Sequence, residues 1–205
     1  MTAFGKALAM QFGVPEDTSF VSFAGRTDSG LAREFFLKYN IEPVEENFRL
    51  FFDCYVHWLD HLMARSNGVV CPGAWRLIRD MQRLRRPPMI GLLTGNIRLG
   101  AEIKMRRFEM WEVFEMGAFG DDHEDRNEMA VIARERAARL LREDLRGEEI
   151  LVVGDTPADI RCGRAIGAKV LAVATGGATL SQLRAHDPEW AVSDMGKVSA
   201  IELCA

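Results

Sequence analysis

The sequence predicts an α/β fold: an open parallel sheet flanked by helices, set behind a helical lobe. Three observations carry this expectation. Residues 1–86 read as helix throughout, while from Pro87 short apolar runs alternate with amphipathic segments, the pattern of βαβ units. Those apolar runs end in Gly, Thr, Asn or Asp, which collects polar residues at the carboxyl edge where open α/β sheets bind ligands. The chain of 205 residues, 48 % hydrophobic and 27 % charged, is large and apolar enough for a packed core and suits one ordinary domain, or one domain with a smaller second lobe.

In chain order, "TAFGKALAMQF" and "SGLAREFFLKY" place apolar residues three and four apart, as helices require. "EENFRLFFDCYVHWLDHLMAR" is a long aromatic helix that stops at Asn67-Gly68. Its Phe51, Phe52, Tyr55 and Trp58 read as lobe core, with a homodimer face as the alternative. "PGAWRLIRDMQRLRR" begins on Pro72, which suits a first helical turn. Residues 89–94, "MIGLLT", form the first expected strand, and "LGAEIKMRRF" follows as a helix. "FEMGAF" (114–119) is the second strand, followed by the helix "RNEMAVIARERAARLLRE". "EILVVG" (149–154) is the clearest strand, with "PADIRCGRAIG" the helix after it. "KVLAVAT" (169–175) and "EWAVS" complete the strands before a short terminal helix. The expected division is a helical lobe over 1–86 and an α/β unit over 87–205.

Charge and composition exclude several classes. A net charge of −4 speaks against nucleic acid as the main partner, because phosphate backbones select basic faces. No apolar run approaches the roughly 20 residues of a membrane span, and "MTAFGKALAMQFG" has no cleavage-site pattern, so a cytoplasmic protein is expected. Cys54, Cys71, Cys162 and Cys204 form no C-x-x-C pair and read as free thiols of a reducing compartment. His57 and His61 share a helical face, but Trp58 stands where a zincin carries Glu. The dinucleotide G-x-G-x-x-G, the P-loop and the G-x-S-x-G elbow are absent, which weakens hydride transfer, P-loop nucleotide hydrolysis and serine esterase chemistry.

The chemistry-bearing residues cluster at strand ends. Thr94-Gly95-Asn96 offers a hydroxyl and backbone N–H groups at a helix start, an anion cradle. Asp155 and Asp159, in "GDTPAD", offer the carboxylate oxygens that Mg²⁺ prefers. Lys104 adds a cation in the next helix, so that together the parts suit a phosphate neutralised by a metal and a lysine. Each has a plainer competitor: an Asn-capped turn, an Asp capping the helix at Pro157, a solvated lysine. Asp121 and Asp122 read as a polar loop before a helix.

In this order along one sheet, the residues resemble the haloacid dehalogenase (HAD) superfamily, in its phosphoglycolate-phosphatase-like branch with a helical cap. "GLLTGN" resembles the second motif of that family, which implies Thr94 as the phosphate-binding hydroxyl. "VVGDTPADIRCGRAIGAK" resembles the fourth, which implies Asp155 as the Mg²⁺ ligand and Asp159 as a supporting acid. "FAGRTDSG" resembles the cap segment, with Arg26 and Thr27 facing the substrate. The third motif is a lysine, often before proline; no such Lys-Pro occurs, and Lys104 is its best counterpart. The resemblance implies a Rossmann-like, HAD-type sheet and a small phosphorylated substrate.

One motif is missing. The family opens on an apolar strand ending in D-x-D-G-T, whose first aspartate is the nucleophile, and no D-x-D followed by glycine occurs in this sequence. That strand is central in relatives, between those equivalent to 89–94 and 149–154. Neighbouring strands lie about 4.8 Å apart, so its absence leaves a slot of roughly 10 Å. The expectation is therefore a Mg²⁺-dependent phosphomonoester hydrolase whose given amino terminus is incomplete. The alternative is a non-catalytic phosphate- or metal-binding protein of the same fold.

Overall fold

A computed structural model describes residues 2–204. The helices expected in 1–86 are present and pack in two places. Helices α1 (Thr2–Phe12), α2 (Asp28–Lys38) and α3 (Glu45–Met63) form the lobe. Their core is aromatic: the Phe4 ring lies 4.7–5.5 Å from the centroids of Phe23, Phe35, Phe51 and Tyr55. Such rings supply large apolar area on short helices. Phe51 and Tyr55 are thus core residues, as the periodicity of α3 predicts. Helix α1 ends at Gly13, whose φ of 64° is the left-handed conformation that glycine adopts freely. Helix α4 (Ala74–Gln82) instead buries Leu77 and Met81 against the sheet.

The strands are parallel. Strand β1 (Gly91–Leu93) pairs with β2 (Met116–Ala118). Strands β3 (Leu151–Gly154), β4 (Lys169–Val173) and β5 (Trp190–Val192) pair in that order. Helix α5 (Arg98–Arg107) follows β1, α6 (Arg126–Leu141) follows β2, and α7 (Pro157–Ala165) follows β3. Helices α8 (Leu180–Arg184) and α9 (Ala200–Leu203) close the chain. Strand β4 is buried on both faces, as a central parallel strand must be. Val170 and Ala172 join Ile160 and Cys162 of α7, while Leu171 and Val173 join Leu77 of α4 and Leu203 of α9. Gly163 of α7 lets that helix close on the strand, because a Cβ there would crowd Val170 and Val152.

The strands form two hydrogen-bonded sheets with a gap between them: β1 and β3 are not hydrogen-bonded to one another. Ladder bonds leave Ile90 O and Thr94 N–H of the β1 segment toward β2, and Ile150 O ahead of β3 toward Lys169. Backbone groups alternate sides along a strand, so those of Gly91, Leu93, Leu151 and Val153 face the gap. Val153 is 39 % exposed, whereas Val170 one strand further in is fully buried. The outer edge of β2 is closed differently. Arg136 donates to Gly117 O at 2.7 Å, and the Phe119 N–H donates to Asp122, which itself holds Arg136 at 2.6 Å. Covering an edge with side chains is a usual guard against strand-to-strand association.

Candidate phosphate and metal site

Two loops flank the gap at its carboxyl end. Thr94 follows β1; its Oγ1 accepts the Asn96 N–H at 3.2 Å. Asp155 follows β3 and is half-buried. The two loops lie on one rim, because residues 25–27 touch both. A Cβ at Gly95 would overlap the Arg26 carbonyl, and a Cβ at Gly25 would lie 3.0 Å from Ala158 and 3.2 Å from Thr156 Oγ1. Gly25 has a φ of 71°, which lets the chain turn across the rim.

Asp159 is 7 % exposed and fully engaged. Its Oδ2 accepts the Thr156 N–H at 2.9 Å, the Thr156 hydroxyl at 2.8 Å and the Asp155 N–H at 3.2 Å. Its Oδ1 meets Arg126. Asp159 therefore holds the β3–α7 loop as the N3 member of a capping box. Asp155 carries none of this scaffolding. Burial raises the pKa of its carboxyl above the usual value, the Asp159 charge raises it further, and Arg126 acts in the opposite sense. Gly176, after β4, is close enough that a Cβ would overlap the Asp155 carboxylate. A desolvated carboxylate beside a second one, with one guanidinium shared between them, is a donor set that a divalent cation would satisfy. Mg²⁺ commonly takes one or two carboxylates and completes its shell with water and phosphate oxygens. Among the described residues no three His, Cys, Asp or Glu side chains form a ready metal cage. The fit is thus to a cation shared with a bound anion.

Arg126 went unread in the sequence. It opens α6, where a positive charge opposes the helix dipole, and that mismatch is the signal that it serves a tertiary partner. Its side chain is 15 % exposed and its Nε is buried without a hydrogen-bond partner among the described residues. Lys104 stands with a different group. Its Nζ donates to Asn96 Oδ1 at 3.0 Å, and it interacts electrostatically with Asp28; burial pushes its pKa down. Asp28, also unread, is 4 % exposed and accepts the Ile97 N–H at 2.9 Å. The Asn96 amide reaches its two oxygens at 3.3 and 3.4 Å, and the Tyr55 hydroxyl lies near enough to interact with it electrostatically.

The backbone cradle is accordingly in use. The N–H of Asn96 is taken by Thr94, that of Ile97 by Asp28 and that of Arg98 by Asp121 at 3.0 Å. Thr27 is 2 % exposed; it caps α2 through Gly30 and donates to Glu124 O at 2.8 Å. Arg26 pairs with Glu34 at 2.6 Å, half-exposed. Thr94, Gly95, Asn96 and Asp155 share the rim, with Arg126 beside Asp155 and Lys104 behind Asn96.

A HAD-hydrolase-like family profile matches residues 129–198, which span α6 to β5 and include Asp155 and Asp159. No curated protein is similar enough in sequence to match. Among solved structures, a point mutant of CbbY from Rhodobacter sphaeroides, in complex with xylulose-1,5-bisphosphate, has a TM-score of 0.74 at 18 % identity, over 99 % of this chain and 90 % of that one. The HAD hydrolase of family IA, variant 3, from Entamoeba histolytica has a TM-score of 0.72 at 16 % identity, over 98 % and 88 %. A predicted phosphoglycolate phosphatase from Haemophilus somnus 129pt has a TM-score of 0.66 at 14 % identity, over 94 % and 85 %. At these identities the likeness is one of fold.

Proposed function

We propose, from the premise that this chain has the fold of HAD-like hydrolases, that its rim is the phosphate- and metal-binding half of a phosphomonoester hydrolase acting on small phosphorylated metabolites. One observation supports the reading: residues 25–27 touch both the loop after Thr94 and the loop after Asp155, and β1 and β3 belong to separate hydrogen-bonded sheets. In this reading the Thr94 hydroxyl and the Gly95 N–H hold phosphoryl oxygens, Asn96 and Lys104 fix that loop, and Arg126 supplies the cation nearest Asp155. Asp155 would hold Mg²⁺ and Asp159 would keep the Asp155 loop in place. The metal, when bound, would neutralise charge on the phosphoryl oxygens. Helices α1–α3 act as a cap that excludes water and selects the substrate, within the division at residues 1–86 and 87–205. Arg26 would exchange Glu34 for an anionic end of the substrate. The free cysteines suit a reducing compartment, and no helix among the described residues is long and apolar enough to cross a membrane.

The attacking carboxylate would belong to a strand seated in the gap. A second reading is a protein of this fold that binds phosphate and metal without turnover; these 205 residues carry no D-x-D-G-T. One experiment separates them. An apolar strand ending in D-x-D-G-T is fused ahead of residue 1, and hydrolysis of p-nitrophenyl phosphate is followed with Mg²⁺. The enzyme reading expects turnover from the extended form alone, reduced about 100-fold or more by Asp155→Ala. Turnover by the 205-residue form would overturn the account of the gap. Mg²⁺-dependent phosphate binding without turnover in either form would establish the second reading.

A further inference from the structure

The residues that cross the rim are fastened to three loops that come from different parts of the chain. Gly25 lies on Thr156 and Ala158, and the Arg26 carbonyl covers Gly95. Thr27 donates to Glu124 O, Ser29 donates to Gly120 O at 2.6 Å, and the Asp28 N–H donates to Gly95 O at 2.6 Å. Arg33, one turn further along α2, grips the Glu124 carboxylate at 2.7 and 2.8 Å. At the centre is the Asp28 side chain, driven into the amino end of α5 among Ile97, Asn96 and Tyr55, with Lys104 behind. Residues 25–29 thus form a strap from the lobe that lies over the Thr94–Gly95 loop.

We propose that Asp28 is the pin of this strap: its carboxyl locks the helical lobe shut over the rim, and the Thr94–Gly95 loop is opened to a ligand only when Asp28 leaves α5. The location follows from the bonds. Asp28, in the first turn of the lobe helix α2, is the strap side chain that reaches the start of α5, through Asn96 and Ile97. Exposed pairs such as Arg33–Glu124 tighten the closure but are screened by solvent. The inference concerns regulation of the site proposed above and rests on that reading only for the identity of the ligand.

The test uses hydrogen–deuterium exchange of the 205-residue chain without ligand. Asp28→Ala strips the Ile97 N–H and the Asn96 amide of their acceptor, and amides 95–101 should exchange about tenfold faster. Amides of β4 should be unaffected and serve as the internal record that the sheet is intact. Asp28→Asn keeps an oxygen for the Ile97 N–H and should exchange no faster than the unmodified chain. Should Asp28→Ala prevent folding, Tyr55→Phe removes the hydroxyl beside the pin and should accelerate the same amides about threefold. Unchanged exchange in 95–101 for Asp28→Ala, or for Tyr55→Phe where that variant stands in, overturns the proposal. Titration with inorganic phosphate and Mg²⁺ then separates lock from ligand. Faster exchange with no phosphate bound by any form leaves the lock standing and removes the phosphate reading. Unchanged exchange with equal phosphate affinity in all forms removes the lock and leaves that reading in place.

Discussion

At the scale of single residues, the buried charges decide most. Arg126 and Asp159 are 15 % and 11 % exposed along their side chains, so removing one partner leaves an uncompensated group. Arg126→Ala should lower the unfolding free energy by about 3 kcal/mol, measured by urea denaturation, with Arg126→Lys recovering part of it. Asp28 has the opposite tendency. Burial raises its pKa above the ordinary 3.8, against the attraction of Lys104 from α5, the Ile97 N–H and Asn96 ahead of α5, and Tyr55 from α3. The folded chain then binds its proton more tightly than the unfolded one. Stability from this group is full below 3.8 and declines as pH rises through the raised folded value. Asp28→Asn should abolish that decline in thermal unfolding measured from acid to neutral pH; an unaltered slope would mean Asp28 titrates normally. Neither Asp28 nor Arg126 was legible as important in the sequence. Their partners lie 69 and 33 positions away, and no periodicity reports such distances. Thr94, Asp155 and Asp159 were legible because each sits at the end of an apolar run, where the chain itself marks the rim.

At the scale of elements, the helices were readable and the strand lengths were not. The apolar spacing of α1, α2, α3 and α6 located each of them. The run at 89–94 contracts to Gly91–Leu93 and that at 114–119 to Met116–Ala118, because β1 has a partner on one side only and its ladder ends with β2. Helix α8 was overlooked although Thr179 and Gln182 spell a capping box, with the Thr179 N–H held by Gln182 at 2.8 Å. The division of the sheet gives unequal weight to similar side chains. Leu171→Ala in β4 should cost about 3 kcal/mol, since it empties a fully buried site. Val153→Ala on the gap edge should cost under about 1 kcal/mol, because that side chain already meets water. Equal losses in denaturant titrations would show the gap to be closed.

At the scale of the whole molecule, the lobe and the sheet have separate cores joined through Ile97, which packs into the aromatic cluster from the start of α5. The change of pattern near Pro87 marks where the strands begin, but the contact of α4 with β4 was not visible, since amphipathicity says that a face is buried and not against what. The backbone groups of Gly91, Leu93, Leu151 and Val153 have no ladder partner among the described residues, and unpaired strand edges invite strand-to-strand association. Light scattering across a concentration series should register self-association, which Val153→Lys diminishes by placing a charge beside that edge; a monomer at every concentration would rule it out.

Arg136 and Asp122 finish the outer border of the sheet, whereas among the described residues no side-chain bond hems the inner seam. A graft that stitches this seam should therefore alter colloidal behaviour before it alters chemistry: the sticky molecule would turn inert toward its own kind, whether or not the inserted thread carries an acid able to react.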